Sequence, residues 1–232
     1  MPENQVTKPP QSLSPGSFSA TRLLIFRHGE VDAGEKRPVF YSQTDIPLSK
    51  RGVEQALFWP KALKGLRVDL VLSSDLSRCL FQAEALRKVW GCDLEVSKAL
   101  REVDFGKWTG LAWEEIEAAY PGQLKMRMAD LESFRPPEGE SLGDLRRRAM
   151  SFLKKRIREY KGGCIALVAH GGINRVIIAT LIGLPLQHIF SLGQDFGCLS
   201  SLDIFSDGPV VLRYLNVTTW IRSDACDAGE FP

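Results

Sequence analysis

The sequence predicts an α/β fold, a three-layer α/β/α sandwich built on a mainly parallel sheet. Three observations carry that expectation. Short apolar runs of strand length alternate with segments whose apolar residues recur at helical spacing, the pattern of parallel strands joined by helical crossovers. Runs as uniformly apolar as "LLIF" (23–26) and "CIALVA" (164–169) suit strands covered by helices on both faces. The chain of 232 residues, 44% apolar and 25% charged, has the size and composition of one domain with some elaboration around an ordinary soluble core.

Residues 1–20, "MPENQVTKPPQSLSPGSFSA", are rich in Pro and Ser and lack the apolar stretch of a secretory signal, so they read as a disordered tail before a domain of residues 21–220. "LLIF" is the first strand. "SKRGVEQALFWPKALKG" (49–65) is a helix with a glycine stop, kinked or broken at Pro60. "VDLVLSS" (68–74) is the second strand, and "LSRCLFQAEALRKVWG" (76–91) is a helix that again ends at glycine. "DLEVSKAL" (93–100) supplies a third strand, followed by a loop and a helix that stops at Pro121-Gly122. Residues 122–139, rich in Met, Pro and charge, break the alternation and read equally as an insertion or lid and as a plain surface connection. A long helix over about 142–160 leads into the strand "CIALVAH" and the helix "INRVIIATLIG". Two strand-like runs, "CLSSLDIF" and "VVLRYLNV", close the domain, and residues 221–232 form a loose tail.

Composition excludes several classes of function. A net charge of +2 gives no reason to expect nucleic acid. The basic clusters between Leu145 and Tyr160 alternate with Leu, Met and Ile at helical spacing, which reads as a solvated helix face. No run approaches the roughly 18 apolar residues of a membrane span. The five cysteines are odd in number, widely spaced and free of CxxC, which favours reduced thiols in a cytoplasmic protein over disulfides or zinc.

Open parallel sheets bind ligands beyond the carboxyl ends of their strands, so the polar residues there are the first candidates. They are Arg27, His28, Gly29 and Glu30 after the first strand; Ser73, Ser74, Asp75 and Arg78 after the second; Arg101, Glu102 and Asp104 in "LREVDFGKW"; and His170, Gly171 and Gly172 after "CIALVA". Two of the three histidines thus share one setting, an apolar strand followed by His and Gly. The third, His188, has no charged companion and reads as packing. An anion fits this edge best, because Arg27 and Arg78 can fork onto phosphate oxygens and helix amino termini near Leu76 and Ile173 would add N–H groups. Zinc fits poorly: no HExxH occurs, no cysteine stands at ligand spacing, and two arginines would repel a cation. A neutral histidine can attack phosphorus, and the departing alkoxide then needs a proton, for which Glu102 and Asp104 are the candidates.

The motifs "LLIFRHGE", "QTDIPLSKRGVEQA", "VLSSDLSRCLFQAEAL", "LREVDFGKWTG", "PPEGES" and "ALVAHGGINRVII", in this order, resemble the histidine phosphatase superfamily, also called phosphoglycerate mutase-like, over about residues 23–205. The resemblance implies the fold of that group and a phosphomonoesterase with His28 as the nucleophile that becomes phosphorylated. It implies that Arg27, Arg78 and His170 bind the phosphoryl oxygens, and that Glu102 is first the acid for the leaving group and then the base for water. No metal or other cofactor is implied, and the partner is a small-molecule phosphate ester. Mutases of the group carry a longer insertion after the acid than the stretch here, which favours the phosphatase branch. "HGGINRVI" and "QDFGCLSSLDIF" look most like α-ribazole-5′-phosphate phosphatases of cobalamin assembly. Two positions depart from the pattern: Val31 where Thr or Ser is frequent, and Gly34 where Asn is. A phosphoglycerate mutase and an inactive phosphate-ligand-binding relative are the alternatives; the five intact side chains argue against the second, since a binder needs neither acid nor nucleophile.

Overall fold

The computed structural model describes residues 20–34, 40–206 and 208–218. The two expected tails lie outside the described residues, except that Ala20 already belongs to the first strand. In chain order the elements are β1 (Ala20–Arg27), α1 (Lys50–Ala62), β2 (Leu70–Ser73), α2 (Ser77–Trp90), β3 (Asp93–Val96), α3 (Trp113–Ala119), α4 (Gln123–Ala129), α5 (Leu142–Glu159), β4 (Cys164–Ala169), α6 (Gly171–Ile182), β5 (Leu199–Phe205) and β6 (Val210–Val217). The six strands form one sheet in the order β3-β2-β4-β1-β5-β6. The first four run parallel, while β5 is antiparallel to β1 and β6 to β5, so the sheet is mainly parallel with an antiparallel edge.

Strand periodicity builds the three layers. Successive side chains of a strand point to opposite faces. Leu23 and Ile25 of β1, with Ile165 and Leu167 of β4, pack on one side against Leu145, Ala149 and Leu153 of α5 and Val176 and Ile177 of α6. Leu24 and Phe26, with Ala166 and Val168, pack on the other side against Trp59 of α1 and Cys79, Ala83 and Leu86 of α2. Each β1 residue therefore commits to one of two cores, which is why the run carries no polar alternation.

The helix ends follow local chemistry. Ser49 caps α1, its hydroxyl accepting from the Gly52 N–H at 3.0 Å, and Gly91 closes α2 in the left-handed conformation at φ 66°. Ser141 and Asp144 cap each other at the start of α5. Pro60 neither breaks nor ends α1 at its own position: the helix continues to Ala62, and the bond that Pro60 cannot donate falls in the final turn. His188, expected as packing, stands exposed on a short 3₁₀ turn, Leu186–Ser191. Among the described residues no helix is long and apolar enough to cross a membrane.

Topology positions the site. β4 inserts between β1 and β2, with Arg27 opposite Ala169 and Ser73 opposite Val168. The carboxyl ends of the three strands therefore deliver Arg27-His28, Ser73-Ser74 and His170 to one edge.

Candidate active site

His28 leaves β1 buried, 5% exposed. Its Nδ1 lies 2.7 Å from the Gly29 carbonyl oxygen, and a carbonyl only accepts, so Nδ1 carries the proton and Nε2 is left with a free lone pair. Burial first, then the charges of Arg27 and Arg78, hold His28 well below the ordinary histidine value. It is neutral. Gly29 is required by contact rather than by conformation, because a Cβ there would strike the Gly52 carbonyl oxygen where α1 crosses the strand end.

Arg27 lies with its guanidinium 3.9 Å from the centroid of Phe196, and one Nη donates to the Gln194 carbonyl. Burial lowers its pKa to about 10, and its Nε is buried without a partner. Arg78, in the first turn of α2, is buried and donates to the carbonyls of Thr44 at 2.7 Å and Ser42 at 3.2 Å. Those carbonyls come from the loop between β1 and α1, in which Ser42 itself adopts φ 51°.

The Arg78 Nε lies 3.3 Å from Nδ1 of His170. Arginine has no acceptor, so Nδ1 accepts and the His170 proton is on Nε2, which donates to Ser74 Oγ at 2.9 Å. His170 is 1% exposed, its ring is 5.1 Å from that of His28 edge to face, and burial with the neighbouring positive charges keeps it neutral too. Cys79 closes the far side, with Sγ 3.6 Å from His170 Nε2.

Glu102 is held as an acceptor by three backbone donors. Oε1 receives the N–H groups of Val103 at 2.9 Å and Ile173 at 3.0 Å, and Oε2 that of Gly172 at 2.9 Å, so the carboxylate sits on the positive amino terminus of α6. This corrects the sequence expectation that helix termini face the bound anion. The Ile173 donor is taken by Glu102, Leu76 N–H points at Ser74 Oγ (3.4 Å), and Ser77 N–H donates to Asp45 at 2.8 Å. The cluster at the sheet edge is instead made of side chains. Gly171 and Gly172 permit that closeness: a Cβ on Gly172 would come within 2.5 Å of Glu102 Oε1, and one on Gly171 within 3.2 Å of the Arg27 guanidinium.

Asp104, the other candidate acid, does not join the cluster. Its Oδ1 accepts from Gly106 N–H at 2.9 Å, capping its own turn. Arg101 forks onto Asp75 at 2.7 and 2.6 Å, so both of those candidates serve as a brace. Sequence reasoning missed the residues that hold the acid loop. Arg148 of α5, assigned to a solvated face, turns inward to donate to the carbonyls of Ala99, Arg101 and Glu102 at 2.8–2.9 Å while pairing with Glu140. Arg175 of α6 donates to the Leu192 carbonyl at 2.8 Å, its guanidinium close to Gly171. Neither stands at a strand end, and no spacing in the sequence distinguishes either from a surface arginine.

Fold and site together define an α/β sandwich enzyme class that gathers two neutral histidines, two arginines and a carboxylate at the carboxyl edge of its parallel strands. The chain belongs to the histidine phosphatase superfamily (branch 1), whose family model matches residues 23–217. It is 33% identical over 181 residues to a glucosyl-3-phosphoglycerate phosphatase of Mycolicibacterium vanbaalenii, covering 74% of this chain and 79% of that one. It is 28% identical over 197 residues to the adenosylcobalamin/α-ribazole phosphatase of Escherichia coli, covering 84% and 95%. The native structure of a mycobacterial glucosyl-3-phosphoglycerate phosphatase matches with a TM-score of 0.76 at 28% identity, over 86% of this chain and 100% of that one.

Proposed function

We propose that this protein is a phosphomonoesterase that hydrolyses a small-molecule phosphate ester through a phosphohistidine at His28. The observation that carries the reading is the His28 tautomer: Nδ1 tied to the Gly29 carbonyl at 2.7 Å leaves an unprotonated Nε2 among cations suited to a phosphoryl group. Arg27, Arg78 and His170 bind the phosphoryl oxygens. Nε2 attacks phosphorus in line, the bond from phosphorus to the alkoxide oxygen breaks, and Glu102 gives its proton to that oxygen. In the second step Glu102 takes a proton from water as it attacks the phosphohistidine, the N–P bond breaks, and His28 returns neutral with inorganic phosphate released. Charge spread over the transferring group is met throughout by fixed cations, so this chemistry calls for no metal and no bisphosphoglycerate cofactor.

The relatives named as phosphatases support a hydrolase. The finer assignment to α-ribazole-5′-phosphate rests on the Escherichia coli relative at 28% identity and on similar non-catalytic motifs. A cytoplasmic location accords with the four described cysteines, all unpaired. The test is phosphate release from a panel of phosphomonoesters with EDTA present, followed by rapid quenching with labelled ester. Label that is stable to alkali, lost in acid and absent from His28→Ala is expected. Turnover retained by His28→Ala would remove His28 from the chemistry.

A further inference from the structure

Phe196 packs on the candidate site instead of on the core. The buried apolar residues gather in two clusters, one on each face of the sheet, and Phe196, half-buried just before β5, belongs to neither. Its ring lies against two polar groups. The Arg27 guanidinium carbon is 3.9 Å from the ring centroid, and the His28 imidazole is 5.6 Å away, centroid to centroid, with the planes at 48°. The sheet puts the ring there. β5 runs antiparallel to β1 with Leu199 opposite Phe26, and the pairing continues past the strand end: Arg27 N–H donates to the Cys198 carbonyl at 3.1 Å and Gly197 N–H to the His28 carbonyl at 2.9 Å. Trp59 Nε1 donates to the Gly197 carbonyl at 2.7 Å, which ties the segment to α1. On the other side of Phe196, Asp195 N–H donates to the Asn216 side chain at 2.6 Å, and Asn216 Nδ2 donates to the Asp195 carboxylate at 2.9 Å, which ties it to β6.

A desolvated arginine is ordinarily paired with a carboxylate. Arg27 is not: among the described residues it makes no ion pair, the Glu102 carboxylate being held by three backbone donors and that of Asp195 by Asn216. Its anchors are neutral, the Gln194 carbonyl for one Nη group and the Phe196 ring for the guanidinium as a whole. A carboxylate in that place would occupy the N–H fork and cancel the charge that a phosphoryl group needs. A ring face attracts the cation through its quadrupole and leaves the fork uncommitted, whereas an aliphatic side chain would cover the same area without attracting it.

We propose that Phe196 is a positioning residue for the phosphate-binding cation: its ring holds the Arg27 guanidinium beside His28, so that the uncommitted N–H groups of Arg27 and Nε2 of His28 meet one phosphoryl group. This deepens the phosphatase reading and rests on it. The first measurement is calorimetric binding of inorganic phosphate, which needs no turnover. Phe196→Leu should weaken it by about tenfold, within the range of a partly desolvated cation–π contact, while Phe196→Tyr, which keeps the ring, should stay within about twofold of the wild type. The second is a double-mutant cycle in kcat/KM for nitrophenyl phosphate, read from initial slopes so that weak binding does not obscure it. Phe196→Leu should cost about tenfold beside Arg27 and less than about twofold in Arg27→Gln, because the group it acts through is then gone. A merely structural ring would give the same loss in both backgrounds. That result, phosphate binding unchanged in Phe196→Leu, or an equal loss in Phe196→Leu and Phe196→Tyr would overturn the assignment. A wild type that hydrolyses no ester, yet binds phosphate and loses affinity in Phe196→Leu but not in Phe196→Tyr, would uphold the role of Phe196 and overturn only the phosphatase reading.

Discussion

Lowering the pH should destabilise this protein through the two histidines of its candidate active site. His28 and His170 are buried, and both are held well below the ordinary value of 6.5 by desolvation and by neighbouring positive charge. In the unfolded chain each titrates at about 6.5. Because the folded values are depressed, the stability linked to these groups is complete above pH 6.5 and is lost as the pH falls below it, where the unfolded chain takes up protons that the folded site refuses. Each histidine contributes about 1.36 kcal/mol per pH unit in that range, so the pair loses about 2.7 kcal/mol between pH 7.5 and 5.5. That is a large part of an ordinary domain stability of about 5–15 kcal/mol. Asp75 and Asp203 also have shifted values, lowered by Arg101 and Arg22, but their loss begins nearer pH 4 and leaves this window to the histidines. The assay is urea unfolding followed by tryptophan fluorescence at pH 7.5, 6.5 and 5.5 in phosphate-free buffer. His170→Gln should halve the slope, to about 1.4 kcal/mol over the same range. A wild-type stability that stays flat, or ring NMR signals of both histidines titrating near 6.5, would refute the claim that the site is built from neutral histidines.

Two further perturbations test the acid and its support. Glu102→Gln removes the proposed proton donor and should slow alkyl phosphates by about 10²–10⁴-fold in kcat, while nitrophenyl phosphate, whose phenolate leaves unaided, falls far less. Equal loss on both would make Glu102 structural. Arg148→Met strips three carbonyls of a charged donor and leaves Glu140 without its partner, which should cost about 3–5 kcal/mol in chemical unfolding and lower kcat on alkyl phosphates as the Glu102 loop loosens. Unchanged stability would mean that Ser42, Gln43 and the amino terminus of α6 hold the loop without Arg148.

The parts of the fold that repeat locally were legible in the sequence. Apolar runs marked β1 and β4, glycine marked the end of α2, and the alternation marked a parallel sheet. His28 and His170 were legible because topology places strand ends together, and any residue immediately after a parallel strand inherits that neighbourhood. The support of the site was not legible, because it consists of long side chains reaching backbone carbonyls far away in sequence. Arg148 and Glu102 are 46 positions apart, and a guanidinium that ends on a carbonyl leaves no complementary charge to read. The helix termini failed as candidates for the same reason. Backbone N–H groups are available to any nearby acceptor, and Glu102 and Asp45 are nearer than a substrate.

The electrostatics also explain why the proposed nucleophile, His28, should be ready before a substrate arrives. Arg27 and Arg78 both disfavour a proton on His28, so the cations that would bind the phosphoryl group also keep Nε2 unprotonated. A bound phosphate dianion would reverse the local balance: it would offset the two charges that suppress histidine protonation and give His170 Nδ1 an acceptor, beside the Ser74 Oγ that Nε2 already reaches. His170 Nδ1, which accepts from Arg78 in the free site, would then gain a proton and donate to a phosphoryl oxygen. His28 would be spared the same fate, because its Nδ1 proton is already committed to the Gly29 carbonyl and, in the proposed reaction, its Nε2 would engage phosphorus, not oxygen. Two histidines of similar burial thus hold opposite tautomers, His28 through the Gly29 carbonyl and His170 through the Arg78 donor, which is the asymmetry the proposed roles of nucleophile and donor require.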